Sequence, residues 1–217
     1  MGALIAEFIG TFALTFFGVG AIINGQAGLV GVALAHGLTI AVFGSAFGAV
    51  SGGHFNPAVT LALLTTGRIK VMNALGYVVS QCLGAVVAAF LLRVAFPSDL
   101  VGASTLGTPL LAPNMSLGGG IILEAIATFA LVTVIMGTAV DARAPKVGAL
   151  FIGFTVALDI LAIGPLTGAA MNPARSIGPA LIGGHMENFW VYWVGPIVGG
   201  VAAAVLYDTV IAKKESS

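Results

Sequence analysis

Two stretches of the sequence decide the fold: Ser51–Thr60 (SGGHFNPAVT) and Thr167–Ser176 (TGAAMNPARS) each contain the tripeptide Asn-Pro-Ala. Asparagine is a strong N-cap, and proline is favoured at the first helical position because its missing N–H would have no intrahelical partner. Each tripeptide therefore predicts the start of a short helix. The two starts lie 116 residues apart, at Asn56, Pro57 and Ala58 and at Asn172, Pro173 and Ala174.

The composition of the chain points to a lipid bilayer as its solvent. Hydrophobic residues make up 59% of the 217 residues and charged residues only 7%, whereas soluble domains carry about 25% charged residues. Eight basic residues balance eight acidic ones, so no excess positive charge is available for phosphates and no nucleic-acid partner is predicted. The single cysteine, Cys82, excludes an intramolecular disulfide and a multi-cysteine metal site, and neither a metal nor a cofactor is predicted.

Six apolar segments are long enough to cross the hydrocarbon core, which needs about 20 residues per helix. They lie near residues 3–23, 29–50, 73–95, 118–140, 146–164 and 188–211. The segments that begin at the tripeptides, 56–66 and 172–182, are about ten residues long and are predicted to be half-helices. The sequence thus predicts an all-α, multi-pass membrane protein in which residues 96–117 form a loop.

An internal duplication relates the two halves of the chain. Thr11–Leu14 recurs as Thr128–Leu131, and Glu7 and Glu124 keep the same offset of 117 residues, close to that of the tripeptides. This predicts a single domain, 1–217, whose repeats are residues 1–95 and 118–212. Because each repeat has three spans, the second is inverted relative to the first, and the N-termini of the two half-helices meet near the midplane.

Basic residues predict the orientation, since short cytoplasmic loops are enriched in lysine and arginine. Six of the eight fall on one side of an even number of spans: Arg68, Lys70, Arg143, Lys146, Lys213 and Lys214. Both termini are therefore predicted to be cytoplasmic. Arg175 differs because it lies inside the second half-helix, and an intramembrane charge indicates a function.

The meeting point of the half-helices predicts a path for water. Two helix N-termini place partial positive charge there, and non-helical backbone at this depth must be buried in protein or line a watery cavity. Loop carbonyls and a vestibule are assigned to Gly52, Gly53, His54, Gly168 and Ala170. Glu7 and Glu124 are interpreted as braces that accept otherwise unpaired N–H groups of the loops leading into the half-helices.

The two tripeptides and their surroundings resemble a known family. The carrying residues are Ser51–Thr60, Met171–Ser176, the glutamate of each half and Trp190–Gly200, and they resemble the aquaporin (major intrinsic protein) family along nearly the whole chain. The resemblance implies a right-handed bundle of six transmembrane helices with two re-entrant half-helices in an inverted repeat. It further implies a homotetramer and a passive water channel that excludes protons and ions, and not an enzyme.

In that family four positions build a selectivity filter, and the resemblance assigns them here to His36, Ile160, Ala169 and Arg175. Water-selective members typically have Phe and His at the first two positions, so His36 and Ile160 imply a wider ring with one less polar wall. The set is similar to that of the plant tonoplast intrinsic proteins. This similarity implies passage of small neutral solutes such as ammonia, urea or hydrogen peroxide beside water.

Two alternatives are weighed against a water channel. Glycerol facilitators resemble one another in an Asp after the arginine of the second tripeptide, a basic residue a few positions later and a Pro in the aromatic pair of the last span. This chain has Ser176, Ala180 and Tyr192–Trp193 there, which favours the water-channel branch. An ion-coupled secondary transporter of small solutes stays open because inverted repeats with broken helices also describe that class. Such a transporter needs converging carboxylates or carbonyls at the midplane, where this sequence places two asparagines.

Overall fold

The computed structural model describes residues 1–145 and 147–212, so three of the residues predicted to orient the chain, Lys146, Lys213 and Lys214, lie outside the described residues. In the described part of the chain, six helices are long and apolar enough to cross a membrane. Two short helices begin at the Asn-Pro-Ala tripeptides. The predicted all-α fold with six spans and two half-helices is confirmed.

The helices follow the predicted order, with shifts of a few residues at their ends. The spans are α1 (Gly2–Asn24), α2 (Gly28–Ser51), α4 (Val71–Ala95), α6 (Leu117–Ile135), α7 (Gly148–Thr167) and α9 (Val191–Leu206). The half-helices are α3 (Pro57–Thr65) and α8 (Pro173–Gly183). Both α6 and α9 continue into a π-helical turn, Met136–Val140 and Tyr207–Ile211 respectively.

The prediction of a loop over residues 96–117 is wrong in part. The segment contains a short helix, α5 (Ser98–Ala103), and a 3-10 turn at Thr105–Gly107. Proline is tolerated at the start of a helix, and Pro97 is the N-cap of α5 rather than a sign of irregular chain. Asp99 in the first turn adds a negative charge where the helix dipole favours one.

Helix packing joins the two halves of the chain. In the first half α1 packs against α2 and α4, and in the second half α6 packs against α7 and α9. Each half-helix also packs against a span of the other half, α3 against α9 and α8 against α4. Where α2 meets α7, a β-carbon on Gly37 or Gly153 would collide with the backbone carbonyl of the other glycine. Small residues thus allow the close approach of helices that membrane bundles use.

Large apolar side chains cover the outer surface of the bundle. Leu34, Leu38 and Val42 follow one another at intervals of four on the exposed face of α2, and Leu158 is 64% exposed on α7. Monomeric soluble proteins rarely expose continuous apolar patches of this kind. The outer surface therefore suits a hydrocarbon environment, in keeping with the six spans.

Candidate functional site

A cavity of about 390 Å³ lies between the two halves of the bundle. Most of the predicted site residues line it: His36, Gly52, Gly53, His54, Asn56, Ile160, Ala169, Ala170, Asn172 and Arg175. The remaining tripeptide residues form the first turns of α3 and α8: Pro57, Ala58, Pro173 and Ala174. Gly168 does not line the cavity. It is the C-cap of α7, with a φ of 83°, and it faces Pro109.

The two asparagines cap the half-helices and also bind the opposite loop. Each side-chain oxygen accepts N–H groups of its own first helical turn, at 2.9 Å for Asn56 and at 3.0 and 3.2 Å for Asn172. Each side-chain nitrogen donates to the carbonyl that precedes the other tripeptide, Asn56 to Met171 and Asn172 to Phe55, both at 2.8 Å. An amide nitrogen carries two N–H groups, so each asparagine retains one donor for the cavity.

Glu7 holds the loop that leads into α3. Its buried carboxylate accepts hydrogen bonds from Ser51 Oγ at 2.6 Å, from the N–H groups of His54 and Phe55 at 3.0 and 2.7 Å, and from Gln81 Nε2 at 2.7 Å. Phe55 has a φ of 48°, a left-handed conformation that is unfavourable for a bulky residue. The carboxylate therefore fixes the one residue of the loop whose backbone is most strained.

Glu124 holds the loop that leads into α8 in the same way. Its buried carboxylate accepts hydrogen bonds from Thr167 Oγ1 at 2.7 Å and from the N–H groups of Ala170 and Met171 at 3.0 and 2.7 Å. Met171 has a φ of 49°. Both loops thus present a strained residue whose N–H binds a glutamate and whose carbonyl binds the asparagine of the other half.

Arg175 and His36 form a polar wall at one end of the cavity. Arg175 is 2% exposed, and its guanidinium donates from Nη1 to the Gly107 carbonyl at 3.3 Å while Nη2 lies 3.4 Å from His36 Nε2. His36 Nδ1 lies 2.9 Å from the Val32 carbonyl. A carbonyl only accepts, so Nδ1 carries the proton and the Nε2 lone pair faces the guanidinium. The wall therefore offers a fixed positive charge and oriented hydrogen-bonding groups.

The apolar wall of the cavity is missing from the sequence prediction. It includes Ile152 and Val156 on α7, which lie below Ile160 at intervals of four, and Leu131 and Ile135 on α6. Residues four apart share one face of a helix, and this spacing was the available signal. The polar residues at the centre therefore occupy a cavity whose sides are largely hydrocarbon.

Three side chains that support the loops were also missed. Gln81 Nε2 donates to Glu7 and to Thr60 Oγ1, the latter at 3.0 Å. The hydroxyls of Tyr77 and Tyr192 donate to the carbonyls of the loop residues Ser51 and Thr167, at 2.8 and 2.9 Å. The two tyrosines lie 115 residues apart, and this offset, close to that of the tripeptides, was the available signal.

Charged side chains surround the mouth of the cavity opposite to Arg175. Arg68 lines the cavity and forms an ion pair of 2.6 Å with Asp208, and both side chains are about one third exposed. In an adjoining pocket Asp141 accepts hydrogen bonds from Arg143 and from the Tyr207 hydroxyl. The hydrogen bonds from Arg143 hold the pKa of Asp141 well below its ordinary value.

The titratable residues do not form a metal site in the part of the chain that the structure describes. There, no group of three or more His, Cys, Asp or Glu side chains is placed to hold an ion. Asp159, next to Ile160, is 6% exposed, and its Oδ2 has no hydrogen-bond partner among the described residues. Nothing in the described contacts explains this carboxyl.

Comparisons with known proteins agree with the geometry. A model of the family described as "Major intrinsic protein" matches residues 1–207. The chain is 42% identical to aquaporin-4 of Mus musculus over 217 residues, which cover 96% of this chain and 67% of that protein. It is 44% identical to the probable aquaporin TIP3-2 of Arabidopsis thaliana over 227 residues, covering 96% and 83% respectively. The X-ray structure of the aquaglyceroporin from Plasmodium falciparum superimposes with a TM-score of 0.84 at 28% identity and covers 96% of each chain.

Proposed function

The chain belongs to the major intrinsic protein family, a family of multi-pass membrane channels and not of enzymes, and we propose that it is a passive water channel that excludes protons and ions. The observation that carries the proposal is the pair of asparagines on one cavity, each with one side-chain N–H bound to the opposite loop and one left over. Membership of a channel family does not favour the alternative of an ion-coupled secondary transporter.

The geometry supports proton exclusion through the orientation of water at the centre. A water molecule between Asn56 and Asn172 accepts a hydrogen bond from each amide, so its own hydrogens point away along the cavity in both directions. A proton then cannot pass continuously along a row of hydrogen-bonded water molecules in the cavity. The N-terminal ends of α3 and α8 place positive partial charge at the same point, and half-helix dipoles together with an arginine are a known means of excluding protons and cations from such pores.

The filter supports the passage of small neutral solutes such as ammonia, urea or hydrogen peroxide. His36, Ile160, Ala169 and Arg175 all line one cavity, and two of the four side chains are apolar. An apolar wall removes hydrogen-bonding partners from one side of the path, and the methyl group of Ala169 leaves space. The similarity to the probable aquaporin TIP3-2 is consistent with a filter of this branch, whereas Ser176 and Ala180 argue against glycerol as the main solute.

Three further features belong to the same proposal. The two repeats, 1–95 and 118–212, form one channel domain, which the matching contacts of Glu7 and Glu124 support. Both termini face the cytoplasm, and the positions of Arg68 and Arg143 at the cavity mouth opposite to Arg175 support this orientation. The protein assembles as a homotetramer with one pore in each protomer, as is typical of the family, and the exposed apolar faces of α2 and α7 suit such contacts.

Reconstitution into liposomes tests the water channel directly. Stopped-flow light scattering of one preparation is expected to show osmotic water flow far above that of empty liposomes, without ion conductance under an applied potential. Urea, ammonia, hydrogen peroxide and glycerol fluxes on the same preparation define the solute range. Water flow equal to that of bare lipid, at a verified protein density, would rule the proposal out.

The filter assignment is tested by exchanging its two unusual residues in the double variant His36→Phe/Ile160→His. We expect urea permeability to fall about tenfold or more while water flow persists, because Phe and His together fill more of the ring than His and Ile and so narrow it. Leu38→Phe is the control, because it places a phenyl ring on the same helix, α2, at an exposed position that does not line the cavity. An unchanged ratio of urea to water permeability would contradict the widened filter.

A further inference from the structure

Gly18 of α1 lies directly against the imidazole of His36. A β-carbon built on Gly18 would lie 2.5 Å from His36 Cδ2 and 2.7 Å from Cε1, and closer still to Nε2. Carbon atoms in van der Waals contact are about 3.5 to 4.0 Å apart, so no side chain other than hydrogen fits at residue 18 while the ring keeps its position. The imidazole is thus seated in a recess of α1 that exists because residue 18 is glycine.

The recess is specific to the imidazole rather than to helix packing. The three heavy atoms nearest to a β-carbon at Gly18 all belong to His36, whereas a β-carbon at Gly84 would meet the backbone of α1 at Phe8. Gly84 therefore serves the approach of two helix backbones. Gly18 instead accommodates one functional side chain.

Two polar contacts hold the ring in this recess. Nδ1 donates to the Val32 carbonyl at 2.9 Å, and Nε2 lies 3.4 Å from Arg175 Nη2. The ring is 3% exposed, yet it lines the cavity on its other side. A ring displaced from Gly18 therefore has to move toward the cavity, because α1 occupies the opposite direction.

The corresponding place in the other half shows what happens without the recess. Residue 135 lies 117 positions after Gly18, and residue 152 lies 116 positions after His36. Both are isoleucines, and both line the cavity. In the second half, the side chains of Ile135 on α6 and Ile152 on α7 both form part of the cavity wall. In the first half, Gly18 on α1 has no side chain, and the imidazole of His36 occupies the space.

We propose that Gly18 is a positioning residue that determines solute selectivity by seating the His36 ring and so setting the cross-section of the filter. The inference rests on the proposed role of His36 in the filter. It identifies residue 18, which does not itself line the cavity, as a determinant of which neutral solutes pass.

The test compares Gly18→Ala with Gly20→Ala in liposomes. Both replace a buried glycine of α1, but a β-carbon at Gly20 makes ordinary contacts of 3.5 Å with Leu92 and 3.6 Å with Phe96. Gly18→Ala is expected to lower urea permeability about tenfold, with water permeability reduced less than about threefold, because pore width discriminates most strongly against the larger solute. Gly20→Ala is expected to retain both permeabilities. Equal urea-to-water ratios in the two variants would overturn the inference.

A double variant separates displacement of the ring from damage to α1. His36→Ala removes the group that collides, so Gly18→Ala/His36→Ala is expected to match His36→Ala alone in urea permeability. If the double variant stays as poor as Gly18→Ala, the effect is structural and the inference fails. A structure of Gly18→Ala gives a readout that does not depend on transport: an imidazole that remains in its place, with Nδ1 on Val32, would also overturn it. Absence of water flow in the unmodified protein would count against the proposed function instead.

Discussion

The two ends of the central cavity share one scaffold but carry different side chains. The proposed ring at one end consists of His36, Ile160, Ala169 and Arg175, which all line the cavity. The positions 116 residues away from these four are occupied by Ile152, Gly44, Gly53 and Val59 respectively, and three of them line the same cavity. At these corresponding positions, one end thus presents a cation and an imidazole, and the other presents isoleucine, valine and glycine.

The scaffold that carries these side chains hardly differs between the ends. Each glutamate accepts hydrogen bonds from one hydroxyl and two N–H groups of its loop. The distances are 2.6, 3.0 and 2.7 Å for Glu7 and 2.7, 3.0 and 2.7 Å for Glu124. The left-handed residues Phe55 and Met171 differ by 1° in φ. The comparison teaches that the fold has its supports at both ends, whereas only one of the two sets of corresponding positions carries polar side chains.

The largest expected effect concerns the shared scaffold. Glu7→Ala removes the acceptor of four hydrogen bonds, of which only the one from Gln81 Nε2 has a second acceptor nearby, in Thr60 Oγ1, and Glu124→Ala removes the acceptor of three. An unsatisfied buried donor costs about 1 to 3 kcal/mol, so each variant is expected to lose on the order of 4 kcal/mol or more of folding stability. Thermal unfolding of the detergent-solubilised proteins measures the loss.

The exposed residue Glu187 provides the control, because Glu187→Ala is expected to change stability by less than about 0.5 kcal/mol. A large loss in one brace variant and none in the other would show that the two loops are not equivalent supports. The statement that the two ends share one scaffold would then be wrong.

The sequence predicted this scaffold well because its signals are local or repeated. Asn followed by Pro predicts a helix start without knowledge of any tertiary contact, and Glu7 and Glu124 are recognisable because an isolated carboxyl in an apolar span needs partners. The inverted relation of the halves follows from counting spans. Its assignment to residues 1–95 and 118–212 stays a prediction, although the matched hydrogen bonds agree with it.

The rest of the site was less accessible because it depends on tertiary contacts. The carbonyl of Gly107 accepts a hydrogen bond from the Arg175 guanidinium. Gly107 lies in the segment that the sequence predicted as a loop, and its position depends on a 3-10 turn that has no strong local signal. Gly168 was assigned to the vestibule from its neighbours in the sequence, but as the C-cap of α7 it faces Pro109. Glycine next to a functional loop does not by itself indicate on which side of the loop the cavity lies.

An intermediate effect is expected from making the two ends alike. Arg175→Val introduces the residue found at the corresponding position 59 and removes the guanidinium between His36 and Gly107. Urea permeability is expected to rise about tenfold relative to water because the ring loses both bulk and its fixed charge. Stopped-flow measurements of both fluxes test this, with Val59→Ala as a control that is expected to leave the ratio unchanged. An unaltered ratio in Arg175→Val would mean that selectivity does not reside in the ring.

The smallest effect is expected at the opposite mouth, where a second arginine lines the same cavity. Arg68 is paired with Asp208, and the two side chains are 31% and 39% exposed, so solvent and salt screen its charge. Arg175 in contrast is 2% exposed, and its guanidinium lies between the Gly107 carbonyl and His36. Arg68→Ala is therefore expected to change water and urea permeability by less than about twofold under the conditions used for Arg175→Val. A change in the urea-to-water ratio as large as that of Arg175→Val would contradict the comparison, because it would mean that any positive charge along the cavity selects solutes, whether it is buried in the ring or exposed at the mouth.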